Sequence, residues 1–296
     1  MLFKVATFNV NSVRARLPIL VPWLEAERPH ILCLQETKVR DAEFPSDAFA
    51  RVGYPAVFRG EKAHGGVALL SSEPIGDPRF DLDDEGPRDP TRLVAVTVCG
   101  LPIVNTYVPR GRDPEDPMFP YKLGWLLRLR SYFERRFSPE EPLLWVGDFN
   151  VAPEPIDVHD PARLLGHVGF HPEEHAALAR VKAWGFTDVF RKHVPDPCQY
   201  TFWDYRARDA VARGKGWRVD HIWATSSLAA RSRRAWIDVV PRLTERPSDH
   251  TVLVAEFDLQ HDPASSPFSE ARVWHSVNAP TARKGTALLP CRSAFE

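Results

Sequence analysis

The sequence predicts an α/β fold layered around sheets, and three observations carry that reading. Apolar runs of strand length recur along most of the chain, several of them continuous rather than alternating, as in strands buried on both faces. Stretches with helical period lie between them. The 296 residues, 44% apolar and 26% charged, suffice for a large core and exclude a fibrous or wholly disordered chain.

Strands are expected, in order, at Leu2–Phe8, His30–Leu34, Gly66–Leu70, Leu93–Val98, Ile103–Tyr107, Leu143–Val146, Val219–Ala224, Trp236–Val240 and Thr251–Phe257. The clearest helix runs from Tyr121 to Phe137, where Leu123, Leu126, Leu127, Tyr132 and Phe133 make an apolar stripe among arginines. Pro172, followed by Glu173 and Glu174, starts another that runs to about Trp184. Asp81–Pro90 and Pro109–Pro120 read as loops. After Asp258 both periods stop, so one domain over 1–258 and a disordered tail over 259–296 are expected.

With 38 basic against 39 acidic residues the chain has no global basic field, so nucleic-acid affinity has to come from a local patch. Cys33, Cys99, Cys198 and Cys291 are widely spaced, which argues against a zinc site and a disulfide framework. Cys33 and Cys99 fall in apolar runs and read as small core residues. No apolar run reaches the roughly 18 residues of a membrane span, and the chain opens directly on a strand. A cytoplasmic location is expected.

Polar groups interrupt the apolar strands at their ends, where open α/β sheets collect ligands. Asn9 and Asn11 close the first strand; Gln35 and Glu36 the second. Asn105 and Tyr107, then Gly147, Asp148 and Asn150, follow further on. Asp220 and His221 stand beside Val219, and Ser248, Asp249 and His250 precede the last strand. The set holds Asn, Glu, Asp, His and Tyr but no matched Ser or Cys nucleophile. The tripeptides Phe8-Asn9-Val10 and Phe149-Asn150-Val151 repeat after two buried strands.

In these segments, TFNVNSVRAR (7–16), LQETK (34–38), GDFNVAPEPID (147–157), WRVDHIWA (217–224) and PSDH (247–250), the chain resembles exonuclease III and the related abasic-site endonucleases. That family belongs to the endonuclease/exonuclease/phosphatase superfamily, which includes pancreatic deoxyribonuclease. The resemblance implies a four-layer sandwich, two packed mixed β-sheets flanked by helices. It implies Mg²⁺, with Mn²⁺ as a substitute, and makes Glu36 the principal metal carboxylate. Asn9, Asn11, Asp148, Asn150, Asp249 and His250 are grouped around the ion. Within that group Asp148 and Asn150 position or deprotonate the attacking water. Tyr107 and His250 meet the phosphate, Asp220 orients the histidine, and Asp249 completes the catalytic set. The residue types suit phosphodiester hydrolysis, which needs an in-line water and charge neutralisation at phosphate.

DNA contacts are expected from residues 201–218, TFWDYRARDAVARGKGWR, where Arg206, Arg208, Arg213, Lys215 and Arg218, with Lys192 upstream, mix with Phe202, Trp203, Tyr205 and Trp217. The resemblance places Phe202, Trp217 and Val219 around an abasic-sugar pocket. Two positions depart from the pattern. Arg110 follows Tyr107-Val108-Pro109 where relatives often carry Asn or Gln, and Leu164 and His167 stand where relatives have phosphate-gripping asparagines. The reading is a monomeric enzyme that incises duplex DNA at abasic sites and removes nucleotides or blocking groups from 3′ ends. The alternatives are a same-fold phosphatase or phosphodiesterase on another substrate, and a non-catalytic DNA-binding protein.

Overall fold

The structure, a computed structural model, describes residues 1–259. The expected tail lies outside the described residues. Strands β1 (Leu2–Asn9), β2 (Ile31–Gln35), β3 (Ala56–Glu61), β4 (His64–Ser71), β5 (Ile75–Phe80) and β6 (Leu93–Val98) fill the first part of the chain. Then come β7 (Leu101–Tyr107), β8 (Leu144–Asp148), β9 (Phe186–Asp188), β10 (Asp220–Thr225), β11 (Ser232–Asp238) and β12 (Val252–Asp258). They build two six-stranded sheets, ordered β11-β12-β1-β2-β4-β3 and β5-β6-β7-β8-β10-β9. Each is mixed: β1–β2 and β7–β8 are parallel, and the remaining pairs are antiparallel.

Side chains explain the stacking. Along β1, Phe3 and Val5 face the second sheet, while Ala6 and Phe8 face outward under helix α1 (Val13–Glu27). Both faces of the strand are buried, which is why its sequence is continuously apolar. The inner core joins Ile31, Cys33 and Leu69 of one sheet to Val96, Ile103, Val146 and Ile222 of the other. Helix α2 (Ser46–Arg51) joins α1 over the first sheet. Over the second lie α3 (Met118–Arg136) and, beyond the short α4 (Pro161–Leu164), α5 (Pro172–Lys182). Short helices α6 (Val189–His193) and α7 (Ser226–Ala229) flank β9 and β10. The architecture is the expected four-layer sandwich. No helix among the described residues is long and apolar enough to cross a membrane.

Several details differ from the sequence reading. Helix α1 was not expected because it contains Pro18 and Pro22; both lie on its exposed side, where solvent can reach the carbonyls left without a donor. The edge strands β3, β5 and β9 were not expected either. β5 carries Gly76 and Pro78 and is bulged between Gly76 and Arg79, which only an edge tolerates. β11 begins at Ser232, four residues before the expected strand, and stops at Asp238. Helix α3 takes in Met118–Pro120 from the expected loop. Cys33 is buried, but Cys99 is exposed at the β6–β7 turn with φ 50°, so it is a turn residue rather than a core one.

Candidate active site

One end of the sandwich collects the polar strand ends. β1, β2, β7 and β8 point their C-termini there, and antiparallel β12 and β10 begin there. The register sets Asp220 of β10 opposite Asp148 of β8. The two repeated Phe-Asn-Val segments end adjacent strands across the sheet interface, and Asn9 Nδ2 donates to Asp148 Oδ2 at 2.8 Å. Beneath them Gln35 and Asn105 serve structure: Gln35 Nε2 donates to Asn105 Oδ1 at 2.7 Å and ties the sheets together. Asn11, Glu36 and Asn150 hold φ of 43°, 52° and 52°. That conformation is routine for Asn but strained for Glu, and such strain gathers at functional sites.

Glu36 stands at one side of this end. Asn9 Nδ2 reaches its Oε1 at 2.9 Å, and Lys38 Nζ sits 2.6 Å from its Oε2. Burial pushes the carboxyl up, but the Lys38 charge and hydrogen bond, with the Asn9 amide, outweigh it and hold Glu36 below the usual range. Lys38 also donates to Asn11 Oδ1 at 2.5 Å, and Asn11 Nδ2 donates to Asp249 Oδ1 at 2.9 Å. Ser248 Oγ fixes this segment to the Asn9 carbonyl at 2.7 Å. The Tyr107 hydroxyl is pushed well above its ordinary pKa by burial, then by Glu36 and Asp148.

On the other side Asp220, His250 and Asp148 form a row. His250 Nδ1 lies 2.8 Å from Asp220 Oδ2, and Nε2 lies 3.9 Å from Asp148 Oδ2. Burial favours neutral imidazole, yet the Asp220 charge and hydrogen bond, with Asp148 and Asp249, raise His250 to about 10. Both ring nitrogens are therefore protonated at neutral pH, and the Nδ1–H donates to Asp220. Burial pushes Asp148 up to about 7; the His250 charge opposes this, while Asp220 adds to it. Asn150 completes the row: its backbone N–H donates to Asp148 Oδ1 at 2.8 Å, and its Nδ2 to the Val108 carbonyl at 2.9 Å.

Above these groups opens a cleft of about 460 Å³. Glu36, Asn150, Asp249 and His250 reach its floor; Phe202, Trp217, Val219, Arg110, Arg206 and His167 form its walls. Asn9, Asn11, Tyr107, Asp148 and Asp220 lie outside that lining. Phe202 and Trp217 pair backbone to backbone at 2.9 Å, and the Phe202 ring lies 4.9 Å from the His250 ring.

The expected cationic loop is only partly free. Arg218 is fully buried, with Nε 2.7 Å from Asp157 and Nη2 2.8 Å from Asp188. Its Nη1 donates to His221 Nδ1 at 2.9 Å, so the His221 proton sits on Nε2 and is donated to the Val151 carbonyl. Burial and the Arg218 charge lower His221 to about 3, consistent with that neutral form. Lys192 is turned toward Ala229 and Ser232. Trp203 is buried with Tyr200 and Ala210, so it is a core ring. Arg206 is exposed but held by Asp204 at 2.7 Å. Leu164 packs with Ala152, Val158 and Phe170 instead of facing the cleft, whereas His167 does face it. Sequence reasoning missed Asp157, Asp188, Lys122 and Glu174, all buried and charged, because their ion-pair partners lie far along the chain.

Asp148, Asp220 and His250 bring ligand atoms within 4.8 Å of one another and by geometry could hold a metal ion. A charged imidazolium has no lone pair to offer, however. The oxygens of Glu36, Asp249, Asn9 and Asn11 suit a hard divalent cation better. The ammonium of Lys38 already bridges Glu36 and Asn11, as a cation would.

Comparison with known proteins agrees with this geometry. The model of the Endonuclease/Exonuclease/phosphatase family matches residues 6–250. The chain is similar to exodeoxyribonuclease III of Haemophilus influenzae, 33% identical over 86% of this chain and 99% of that one. It is also similar to a solved AP endonuclease from Archaeoglobus fulgidus, with 46% identity, a TM-score of 0.84, and coverage of 87% of this chain and 100% of that one. A Neisseria 3′ phosphatase bound to a product DNA hairpin gives 33% identity and a TM-score of 0.82 over 86% of this chain and 99% of that one. Because the family match runs from β1 to His250 and so takes in every strand end of the site, the chain belongs to the endonuclease/exonuclease/phosphatase family.

Proposed function

We propose that the chain is a Mg²⁺-dependent DNA phosphodiester hydrolase that incises 5′ to abasic sites and trims or unblocks 3′ ends. The observation that carries this reading is the Asp220–His250–Asp148 row beside Glu36, set under an aromatic and arginine-lined cleft. Asp148, with Asn150, orients the attacking water and accepts its proton. His250, kept charged by Asp220, neutralises the phosphate, and Tyr107 donates to it. Glu36, Asp249, Asn9 and Asn11 would hold the ion, which would supply charge neutralisation at the phosphate. Phe202, Trp217 and Val219 receive an extruded sugar, while Arg110 and Arg206 steady the backbone. The catalytic domain is 1–258, and it acts as a monomer. The free thiols of Cys33, Cys99 and Cys198 suit a reducing cytoplasm.

The test compares an abasic-site duplex, a 3′-recessed duplex, a 3′-phosphate end and an inositol phosphate, each with Mg²⁺ and with chelator. Cleavage of the inositol phosphate with no cleavage of DNA would overturn the reading. Arg110 on the wall favours one emphasis within it: a positive group there suits a terminal phosphate, which carries more charge than an internal diester. The ratio of 3′-phosphate removal to abasic incision measures that emphasis.

Two variants probe the assignment. Glu36→Gln replaces a carboxylate ligand by a neutral amide, so the Mg²⁺ concentration giving half-maximal rate should rise at least about tenfold, with rescue by excess Mg²⁺. An unchanged Mg²⁺ titration removes Glu36 from the metal set. Trp217→Ala should lower abasic incision by about tenfold or more, reflecting roughly 1–3 kcal/mol of stacking, and affect 3′-end trimming less. Trp217 also packs on Val158 and Phe170, so both rates are compared per folded molecule. Equal losses would make it a packing residue only.

A further inference from the structure

Lys122 of α3 and Glu174 of α5 form an ion pair whose side chains are both 0% exposed, directly behind the cleft. The Lys122 ammonium has three protons, and three acceptors meet it: Glu174, the Asn150 carbonyl at 2.7 Å and the Arg110 carbonyl at 3.3 Å. The second Glu174 oxygen accepts from the backbone N–H of Gly169 at 2.7 Å and of His171 at 3.2 Å. One buried pair thus grips three separate backbone segments, at 110, 150 and 169–171. Arg110, Asn150 and Gly169 all line the cleft.

We propose that Lys122 and Glu174 are positioning residues for phosphoester hydrolysis, a brace that fixes the Asn150 backbone and the facing cleft wall relative to Asp148. This rests on the hydrolase reading above. Asn150 is where the brace matters most. Its backbone N–H holds Asp148 Oδ1 while its own carbonyl is held by Lys122, so the carboxylate is located through one residue from the buried ammonium. Asn150 also keeps a left-handed φ of 52°, which an untethered residue leaves readily. Packing alone does not call for charges here, because buried ion pairs are often replaceable by apolar pairs of equal volume with no loss of stability. An apolar pair could not donate to two carbonyls or accept from two amides. Gly111 fits the same design: its φ of 87° favours glycine, and a Cβ there would crowd Lys122 Cδ at 3.2 Å.

The experiment measures single-turnover cleavage of a 3′-recessed duplex, DNA affinity and thermal melting on the full chain. Lys122→Met with Glu174→Gln removes both charges together and leaves no unpaired ion. Its single-turnover rate should fall between about tenfold and a hundredfold, the scale of a small misplacement of reacting groups, with DNA affinity changed less than about threefold. Leu126→Ala, a cavity in the outer core of the same helix, should lose stability but keep the rate per folded molecule. A folded double variant with the wild-type rate, or an equal slowing in Leu126→Ala, overturns the proposal. If the double variant does not fold, Glu174→Gln decides, since it keeps side-chain volume and an acceptor for Gly169; it must slow the step severalfold, and a wild-type rate rejects the brace. Wild-type protein that cleaves no DNA fails the hydrolase reading instead. The same variants are then compared on whichever phosphoester the wild type hydrolyses.

Discussion

Asp148→Asn and His250→Ala should each lose on the order of a thousandfold in turnover while still binding DNA, because in the proposed reaction one serves the attacking water and the other the phosphate, not the duplex. Asn cannot take the proton of the attacking water, and Ala leaves the phosphate without its buried cation. The same pair sets the pH profile. Asp148, pushed up to about 7, must ionise to act as a base, so the rate rises with pH up to that region. His250, raised to about 10, must stay protonated, so the rate falls again near there. A divalent cation beside Glu36 moves the acid limb downward, since positive charge favours the carboxylate. The measurement is kcat/KM against pH for wild type and for Asp148→Asn, which should lack the acid limb. Residual turnover within tenfold of wild type in either variant removes that residue from the reaction.

Arg218→Met should cost about 3–5 kcal/mol and lower Tm by roughly 10 °C, because it removes a wholly buried guanidinium and leaves the buried Asp188 carboxylate without its ion pair. Asp157 keeps a partner in Arg191 at 2.9 Å, but Asp188 loses its guanidinium and retains the backbone N–H of Arg191. His221 loses the donor that fixes its tautomer, and the Val151 carbonyl next to Asn150 loses a defined partner. Arg218 lies between Trp217 and Val219, so the loss should also blunt abasic incision. Thermal unfolding of the single variant decides the stability claim. A Tm within a couple of degrees of wild type would mean that Arg191 takes over both carboxylates.

The contrast between Glu36 and Glu174 explains how much was legible in the sequence. Glu36 follows a fully apolar strand, and a carboxylate there has few structural duties, so its position alone is informative. Glu174 sits in the first turn of a helix, where an acid is expected as a cap, and it does complete that cap with His171. Its second duty toward Lys122 lies 52 residues away and leaves no local trace. Arg218 misled for the same reason: beside Lys215 and Arg213 it looks like part of a solvated patch, and its acids stand 61 and 30 residues upstream. The central strands were readable because burial on both faces demands unbroken apolar runs. Strands β3, β5 and β9 were not, because an edge can carry glycine, proline and charge.

The last described strand, β12, inserts between β11 and β1, and Asp249 and His250 immediately precede it. Asn9 and Glu36 arrive early in the chain, Asp148 and Asp220 later, and the histidine after all of them. Synthesis proceeds from the N-terminus, so a growing or prematurely ended chain can hold all the strands of the second sheet and still lack His250. The order of elements therefore ties completion of the site to completion of the first sheet: a chain that ends before β12 lacks Asp249, His250 and the strand on which both β1 and β11 pair.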